Sequence, residues 1–274
     1  MNPKFGDKIE YSTTRITADN DSVGTGFFVF FKGNEENQVI PVLVTNKHVI
    51  ENANKISFFI SVRNKEDNSV INKYGIEINN VSQLFVFYPD DDVDLCVCPI
   101  AMILNDLEEK GFIAEIFPFH EDIIFTNESQ ELGNISSIQE IYMTGYPSGL
   151  WDDVNNKPIT RKGLTASNVK QDWQGKKRFI ADIACFPGSS GSPVYIYDDG
   201  VFMDGDNAVL GERLVLLGIL YAGPVINAEG EIISVQVPTD YRHMISTRLM
   251  MNLGFIIKAN ELLVIKNMLL RLDQ

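Results

Sequence analysis

The sequence predicts an all-β protein built as two antiparallel six-stranded β-barrels followed by a C-terminal helix. Three observations predict it. Short runs rich in β-branched and aromatic residues recur between turn clusters, as in sandwiches and barrels. These runs fall into two similar sets on either side of a charged stretch. The tail reads differently, with a helical period.

The first set of expected strands is 9–16, 26–31, 39–45, 55–62, 84–87 and 95–100. The second is 138–144, 163–169, 178–183, 193–197, 214–221 and 232–237. Between them, residues 105–135 are charged and irregular in pattern, with a short helix expected around 106–115, and read as an inter-lobe connector. After Asn260, a helix-capping residue type, Leu262, Ile265, Leu269 and Leu272 recur at steps of three and four. That stripe is expected to pack back on the second barrel, with docking of a partner as the alternative. The resulting division is a first lobe at 1–104, a connector at 105–135, a second lobe at 136–245 and a helical extension at 246–274.

A chain of 274 residues can bury a core without disulfide or metal support. Its opening residues lack the basic start and apolar stretch of a secretion signal, so a cytoplasmic location is the expectation. The three cysteines, Cys96, Cys98 and Cys185, are an odd number for a disulfide framework and fit a reducing compartment. At strand spacing Cys96 and Cys98 share a face and read as small apolar core residues. No second Cys or His pair has zinc-ligand spacing, so neither metal nor other cofactor is expected. A net charge of −14 argues against nucleic acid and anionic membrane surfaces as partners.

Chemistry concentrates in three places. Phe186-Pro187-Gly188-Ser189-Ser190-Gly191-Ser192-Pro193 sets a serine in a Gly-rich turn before the apolar run Val194-Tyr195-Ile196. A hydroxyl becomes a useful nucleophile only when exposed beside a base and near N–H groups that bind the developing oxyanion. Taken alone, the same string also fits a plain loop. The apolar strand leading through Thr45-Asn46-Lys47 ends at His48, whose imidazole can take and return a proton near neutrality. The other histidines, His120 in an acidic stretch and His243 near a helix start, read as surface or packing residues. In Asp90-Asp91-Asp92-Val93-Asp94-Leu95, Asp94 is the acid most tightly bracketed by apolar neighbours and the candidate to orient an imidazole; Asp92 is the alternative.

The order His48, Asp94, Ser190 resembles the trypsin-like serine peptidase family, in the motif style of the bacterial Deg-type members without a PDZ module. Four further stretches are similar to family motifs. Gly24-Thr25-Gly26-Phe27 resembles the small-residue strand ahead of the histidine strand, and Thr144-Gly145-Tyr146-Pro147 an early step of the second barrel. Gly218-Ile219-Leu220-Tyr221-Ala222-Gly223 resembles the substrate-binding strand, and Val235-Gln236-Val237-Pro238 the strand leading into the C-terminal helix. The resemblance implies a chymotrypsin-like fold and a serine endopeptidase acting on a protein or peptide substrate. It also implies an oxyanion site at the N–H groups of Gly188 and Ser190 and a specificity pocket involving Ala184, Leu220, Tyr221, Ala222, Gly223 and Ile232.

Departures from the pattern carry their own expectations. Ser189 stands where cleavage-activated members have an aspartate, so no zymogen is expected, and control then falls to a protein partner or a closed active-site loop. Ser192 replaces the usual second glycine after the nucleophile. With Ala184 at the pocket floor, a graded preference for mid-sized apolar residues is expected on the acyl side, and neither tryptic nor glutamate selectivity. The rival reading is a catalytically inactive trypsin-fold module that binds a peptide or partner. An α/β-hydrolase esterase fails on residue order and on the absence of alternating helices and strands.

Overall fold

A run such as Phe27-Phe28-Val29-Phe30-Phe31 has no polar face to offer water, so its strand must be covered on both sides. In the computed structural model, which describes residues 4–129, 135–231 and 244–272 (backbone alone for 225–231, 244–250 and 272), this is how the strand is placed. Phe27, Val29 and Phe31 enter one apolar core and Phe28 another. The neighbouring strand divides likewise, with Val42 and Val44 in the first core and Leu43 in the second.

The first sheet is formed by Thr13–Ala18 (β1), Val23–Lys32 (β2), Val39–Thr45 (β3), Lys55–Asn64 (β4), Val70–Asn79 (β5), Val86–Phe87 (β6), Cys96–Pro99 (β7), Phe112–Glu115 (β8) and Phe119–His120 (β9). Its order is β5-β4-β1-β2-β3-β7-β6, with β8 on β4 and β9 parallel to β2. The second is a closed barrel of Glu140–Gly145 (β10), Ile159–Thr165 (β11), Arg178–Asp182 (β12), Pro193–Asp204 (β13), Asn207–Ala222 (β14) and a last strand near the C-terminus. Val225–Glu231 (β15) and Met244–Met250 (β16) form a separate hairpin, and Leu253–Lys258 (β17) closes the barrel between β12 and β14. Short helices Phe5–Lys8 (α1), Lys47–Ile50 (α2) and Val81–Leu84 (α3) are joined by Ala101–Glu109 (α4) and Glu261–Leu272 (α5). Among the described residues, no helix is long and apolar enough to cross a membrane.

The all-β class, the two sheets and the C-terminal helix agree with the sequence reading, while several details differ for physical reasons. The first sheet has nine strands rather than six. Its edge strand β5 alternates buried and exposed positions instead of forming an apolar run, and β8 and β9 are too short to register as strands, while β6 falls within the expected 84–87. The helix expected at 106–115 is Ala101–Glu109; Gly111, at φ +82°, turns the chain so that 112–115 becomes β8. Residues 105–135, expected as a connector, thus supply two strands to the first sheet. The sixth barrel strand is β17, from the stretch expected to be a helical extension, whereas the expected strand at 232–237 and His243 lie outside the described residues. Cys96 and Cys98 are both buried in the first sheet's own core, and burial pushes the Cys98 thiol up to about 12.

The core that Phe27, Val29 and Phe31 enter is where the two sheets meet, and it belongs to neither alone. It takes Phe27, Val29, Val42, Val44, Leu95 and Val97 from one side and Tyr195, Leu214, Leu216 and Ile219 from the other. Leu262, Ile265 and Leu269 of α5 enter the same cluster, so the helix stripe lies on the seam between the lobes rather than on the second barrel alone. Glu261, 3% exposed, accepts a 2.6 Å hydrogen bond from the Tyr88 hydroxyl of the first lobe. Lys266 pairs with Glu121 at 2.7 Å.

Because Ile265 is fully buried in this shared core, Ile265→Ala should cost about 2–5 kcal/mol. Denaturant unfolding should remain a single transition, coincident by tryptophan fluorescence and far-UV circular dichroism. Two separated transitions would show that the lobes do not stabilise each other.

Candidate active site

β3 ends at Thr45, where the apolar run gives way to Asn46 in an extended conformation and then to the single turn α2. Val49 and Ile50 anchor that turn in the first sheet's own core, which leaves His48 facing the cleft with 43% of its side chain exposed. Asp94 meets the histidine with both carboxylate oxygens: Oδ1 accepts from the His48 backbone N–H at 3.1 Å, and Oδ2 lies 2.5 Å from Nδ1. This contact holds the proton on Nδ1 and leaves Nε2 as the basic nitrogen. The buried Asn46 side chain donates to the Asp94 carbonyl at 2.7 Å and so ties the acid's own backbone to the histidine turn. Asp92 points elsewhere and pairs with Lys176 of the second lobe at 3.1 Å. His120 is exposed and packs edge-on against Phe30.

The serine loop needs two backbone conformations that side chains disfavour. Gly188 has φ +85° and Gly191 φ +89°; a Cβ would sit 2.6 Å from the Tyr146 carbonyl at the first and 1.9 Å from the Thr25 carbonyl at the second. Among the described residues, the N–H groups of Gly188 and Ser190 donate to no other protein group and remain available to a ligand. The Ser190 hydroxyl donates to the Tyr221 carbonyl at 3.5 Å and makes no hydrogen bond to His48. Ser189 is buried, and its hydroxyl has no hydrogen-bond partner.

Thr25, near the start of β2, joins this loop to the first sheet. Its N–H donates to the Ser190 carbonyl at 2.8 Å and its hydroxyl to the Gly188 carbonyl at 2.9 Å. The same hydroxyl accepts from the Tyr146 N–H at 3.2 Å and from Ser192 at 3.3 Å, while the Thr25 carbonyl accepts from Thr45 at 2.8 Å. Gly145 makes the arrangement possible, since a Cβ there would lie 2.0 Å from the Ser192 hydroxyl. Ser192 is thus accommodated by a glycine on another strand. Neither Thr25 nor Asn46 is recognisable as a site residue in one sequence, because their partners are distant along the chain.

Beside Ser190 opens a recess of about 110 Å3, lined by Cys185, Phe186, Pro187, Leu220, Ala222 and Gly223. Leu220, Ala222 and Gly223, expected at a specificity pocket, line this recess. Tyr221 is not in the wall: the strand register shifts between Leu220 and Ala222, and the Tyr221 ring turns to Phe255 while its hydroxyl accepts from Arg178 at 2.5 Å. Half-buried Ala184 does not line the recess either; the next residue, Cys185, does. Burial pushes the Cys185 thiol up to about 12. Ile232 lies outside the described residues. Among the described residues, no cluster of three or more His, Cys, Asp or Glu side chains could hold a metal ion.

A search of curated proteins returned no match. Among solved structures, a scabies mite inactivated protease paralogue aligns over 96% of both chains at 10% identity, with a TM-score of 0.44. An HtrA-type protease with a decapeptide aligns over 99% of this chain and 68% of its own at 13% identity, with a TM-score of 0.48. The family model for the trypsin-like peptidase domain matches residues 24–203, a stretch that contains β2 from its second residue, the histidine turn, the acidic turn and the serine loop. With most of its length covered, the chain belongs to the trypsin-like peptidase domain family.

Proposed function

We propose that the protein is a serine endopeptidase in which Ser190 is the nucleophile, His48 the general base and Asp94 the residue that orients it. The observation that carries this reading is the two-point contact of Asp94 with the His48 ring and backbone, opposite a serine loop docked through Thr25 onto the same sheet. His48 Nε2 takes the Ser190 proton as the hydroxyl attacks the substrate carbonyl, and Asp94 stabilises the imidazolium. The oxyanion is received by the N–H groups of Gly188 and Ser190. His48 then protonates the leaving amine, and water hydrolyses the acyl-enzyme by the reverse sequence. The substrate is a protein or peptide, and the chemistry draws on side chains and backbone alone.

The rival reading, an inactive binding module, draws on one observation: the Ser190 hydroxyl faces the Tyr221 carbonyl rather than His48. A hydroxyl turns between staggered rotamers at little cost, and catalytic hydrogen bonds commonly tighten only when substrate is present. Retention of an oriented imidazole and two free N–H donors favours the enzyme.

Activation by insertion of a new amino terminus is disfavoured. The segment after residue 3 is tied to the β13–β14 hairpin by Lys4 to Asp199 at 2.7 Å and by the Phe5 N–H to Glu212 at 3.1 Å, and Ser189 offers no charge to capture an amine. A fluorophosphonate should therefore label Ser190 in the untrimmed chain, with intact mass spectrometry giving the site and the starting residue. Iodoacetamide at pH 7.5 should leave activity unchanged, since with a pKa near 12 the Cys185 thiol stays protonated and unreactive there.

Ser190→Ala and His48→Ala should each abolish peptide hydrolysis, with the double variant no worse than either single. Asp94→Asn should lower kcat on the order of 10⁴-fold, by analogy with other triads. Asp92→Asn should stay within a few-fold of the wild type, and the reverse ranking in turnover assays would reassign the orienting acid.

Thr25→Val keeps the shape of the side chain but removes the hydrogen bonds that hold Gly188 and Ser192. Displacing the oxyanion donors should lower kcat by about 10–10²-fold with KM nearly unchanged. Loss confined to KM in steady-state kinetics would argue against this positioning role.

A further inference from the structure

The matched motifs of the recess contain no charge, but β11, which carries none of those motifs, brings one. Arg161 lies directly opposite Met143 of β10. Opposed residues of an antiparallel pair project from the same face, and Met143 belongs to the second barrel's core together with Cys185 and Leu220. Arg161 is therefore an inward-facing residue of the barrel. Its guanidinium carbon lies 4.8 Å from the centre of the Phe186 ring, and Phe186 and Cys185 form one wall of the recess beside Ser190.

This cation lacks the partners its counterparts have. Arg63 and Arg213 pair with Glu115 and Asp198, while Arg15 and Arg178 donate to the hydroxyls of Thr17 and Tyr221. Among the described residues Arg161 has neither a carboxylate nor a hydrogen-bond acceptor, and its Nε is buried with no partner. A half-buried guanidinium without an anion is costly, and it is conspicuous in a chain with net charge −14, where carboxylates are plentiful. Its field reaches the recess: burial raises the Cys185 thiol, and the charge of Arg161 acts on the same thiol in the opposite sense. No carboxylate lines the recess to repel an acidic guest.

We infer that the recess beside Ser190 accepts an acidic side chain, glutamate or aspartate, on the acyl side of the scissile bond, with Arg161 as its charge partner. Leu220 and Ala222 cover the methylene part of such a side chain, and the guanidinium receives the carboxylate. This deepens the peptidase reading and rests on it. It also replaces the apolar preference expected from the sequence, because the charge comes from a strand outside the motifs on which that expectation was built.

The test uses diaryl phosphonates that share one peptide and differ in the acyl-side residue, glutamate, glutamine, leucine or lysine, together with a plain fluorophosphonate. In the wild type at pH 7.5, the glutamate probe should label Ser190 at least tenfold faster than its glutamine isostere. That advantage should shrink as pH falls through the carboxylate's own pKa of about 4.3. Arg161→Gln should bring the glutamate-to-glutamine ratio close to one and Arg161→Lys should retain part of it, with melting curves reporting that both variants fold. Glutamine or leucine probes that label the wild type as fast as glutamate, while the fluorophosphonate reacts, would overturn the acidic recess and leave the peptidase reading intact. A folded wild type that reacts with no probe would overturn the peptidase reading and this inference with it.

Discussion

The site depends on an apolar seam shared by two sheets. His48 and Asp94 come from the first and Ser190 from the second, so their relative position is only as definite as the contact between the lobes. That contact is apolar and buried, with Phe27, Val29 and Val44 against Leu216 and Ile219, and α5 fills its flank with Leu262, Ile265 and Leu269. Close-packed interiors deform little, so a seam of this kind fixes the distance between groups on either side better than a polar contact would. It also explains why β2, β3 and β14 are apolar on both faces, a pattern uncommon for antiparallel strands.

On that seam a small polar cluster sets the finer geometry. Thr25 uses its N–H, its hydroxyl and its carbonyl in five hydrogen bonds, to Ser190, Gly188, Tyr146, Ser192 and Thr45. The hydroxyl donates once and accepts twice, the full capacity of the group. Buried polar networks specify a unique arrangement when every member is satisfied, and here the arrangement specified is the turn that presents two free N–H groups beside the serine. Gly145, Gly188 and Gly191 act in the same cause by leaving out side chains where backbone and hydroxyl must come within about 3 Å of one another.

The electrostatics of the cleft are assembled from both lobes. The acidic turn that carries Asp94 is held by Lys47 of the histidine turn, which donates to the Asp90 carbonyl at 2.9 Å, and by Lys176, which reaches across to Asp92. These lysines offset the acids that face solvent, while Asp94 is left to the imidazole. Across the cleft, Arg161 has an aromatic face for a neighbour and no acid. A chain this acidic would ordinarily pair such a group internally, which is why the absence of a partner among the described residues directs attention to the substrate.

Short-range order was legible in the sequence. The strands β3, β12 and the barrel portion of β14 announce themselves as runs rich in apolar β-branched, aliphatic and aromatic residues, the C-terminal helix by its period, and the candidate site residues His48, Asp94 and Ser190 by residue type and local context, because the nucleophile, base and acid proposed for this site each need a particular side chain at a particular kind of turn. What the linear pattern did not carry was every relation between residues far apart in the chain. Edge strands such as β5 lack an apolar run because one face is wet, and β17 rather than an earlier segment completes the barrel because closure is decided by pairing with β12 and β14. Thr25, Asn46 and Arg161 look ordinary until the fold brings them to Gly188, Asp94 and Phe186. The sequence by itself determined which chemical groups are present and the fold class that can hold them; the tertiary structure alone decided which of those groups meet, since hydrogen bonds and charge pairs act over a few ångströms whatever the separation along the chain.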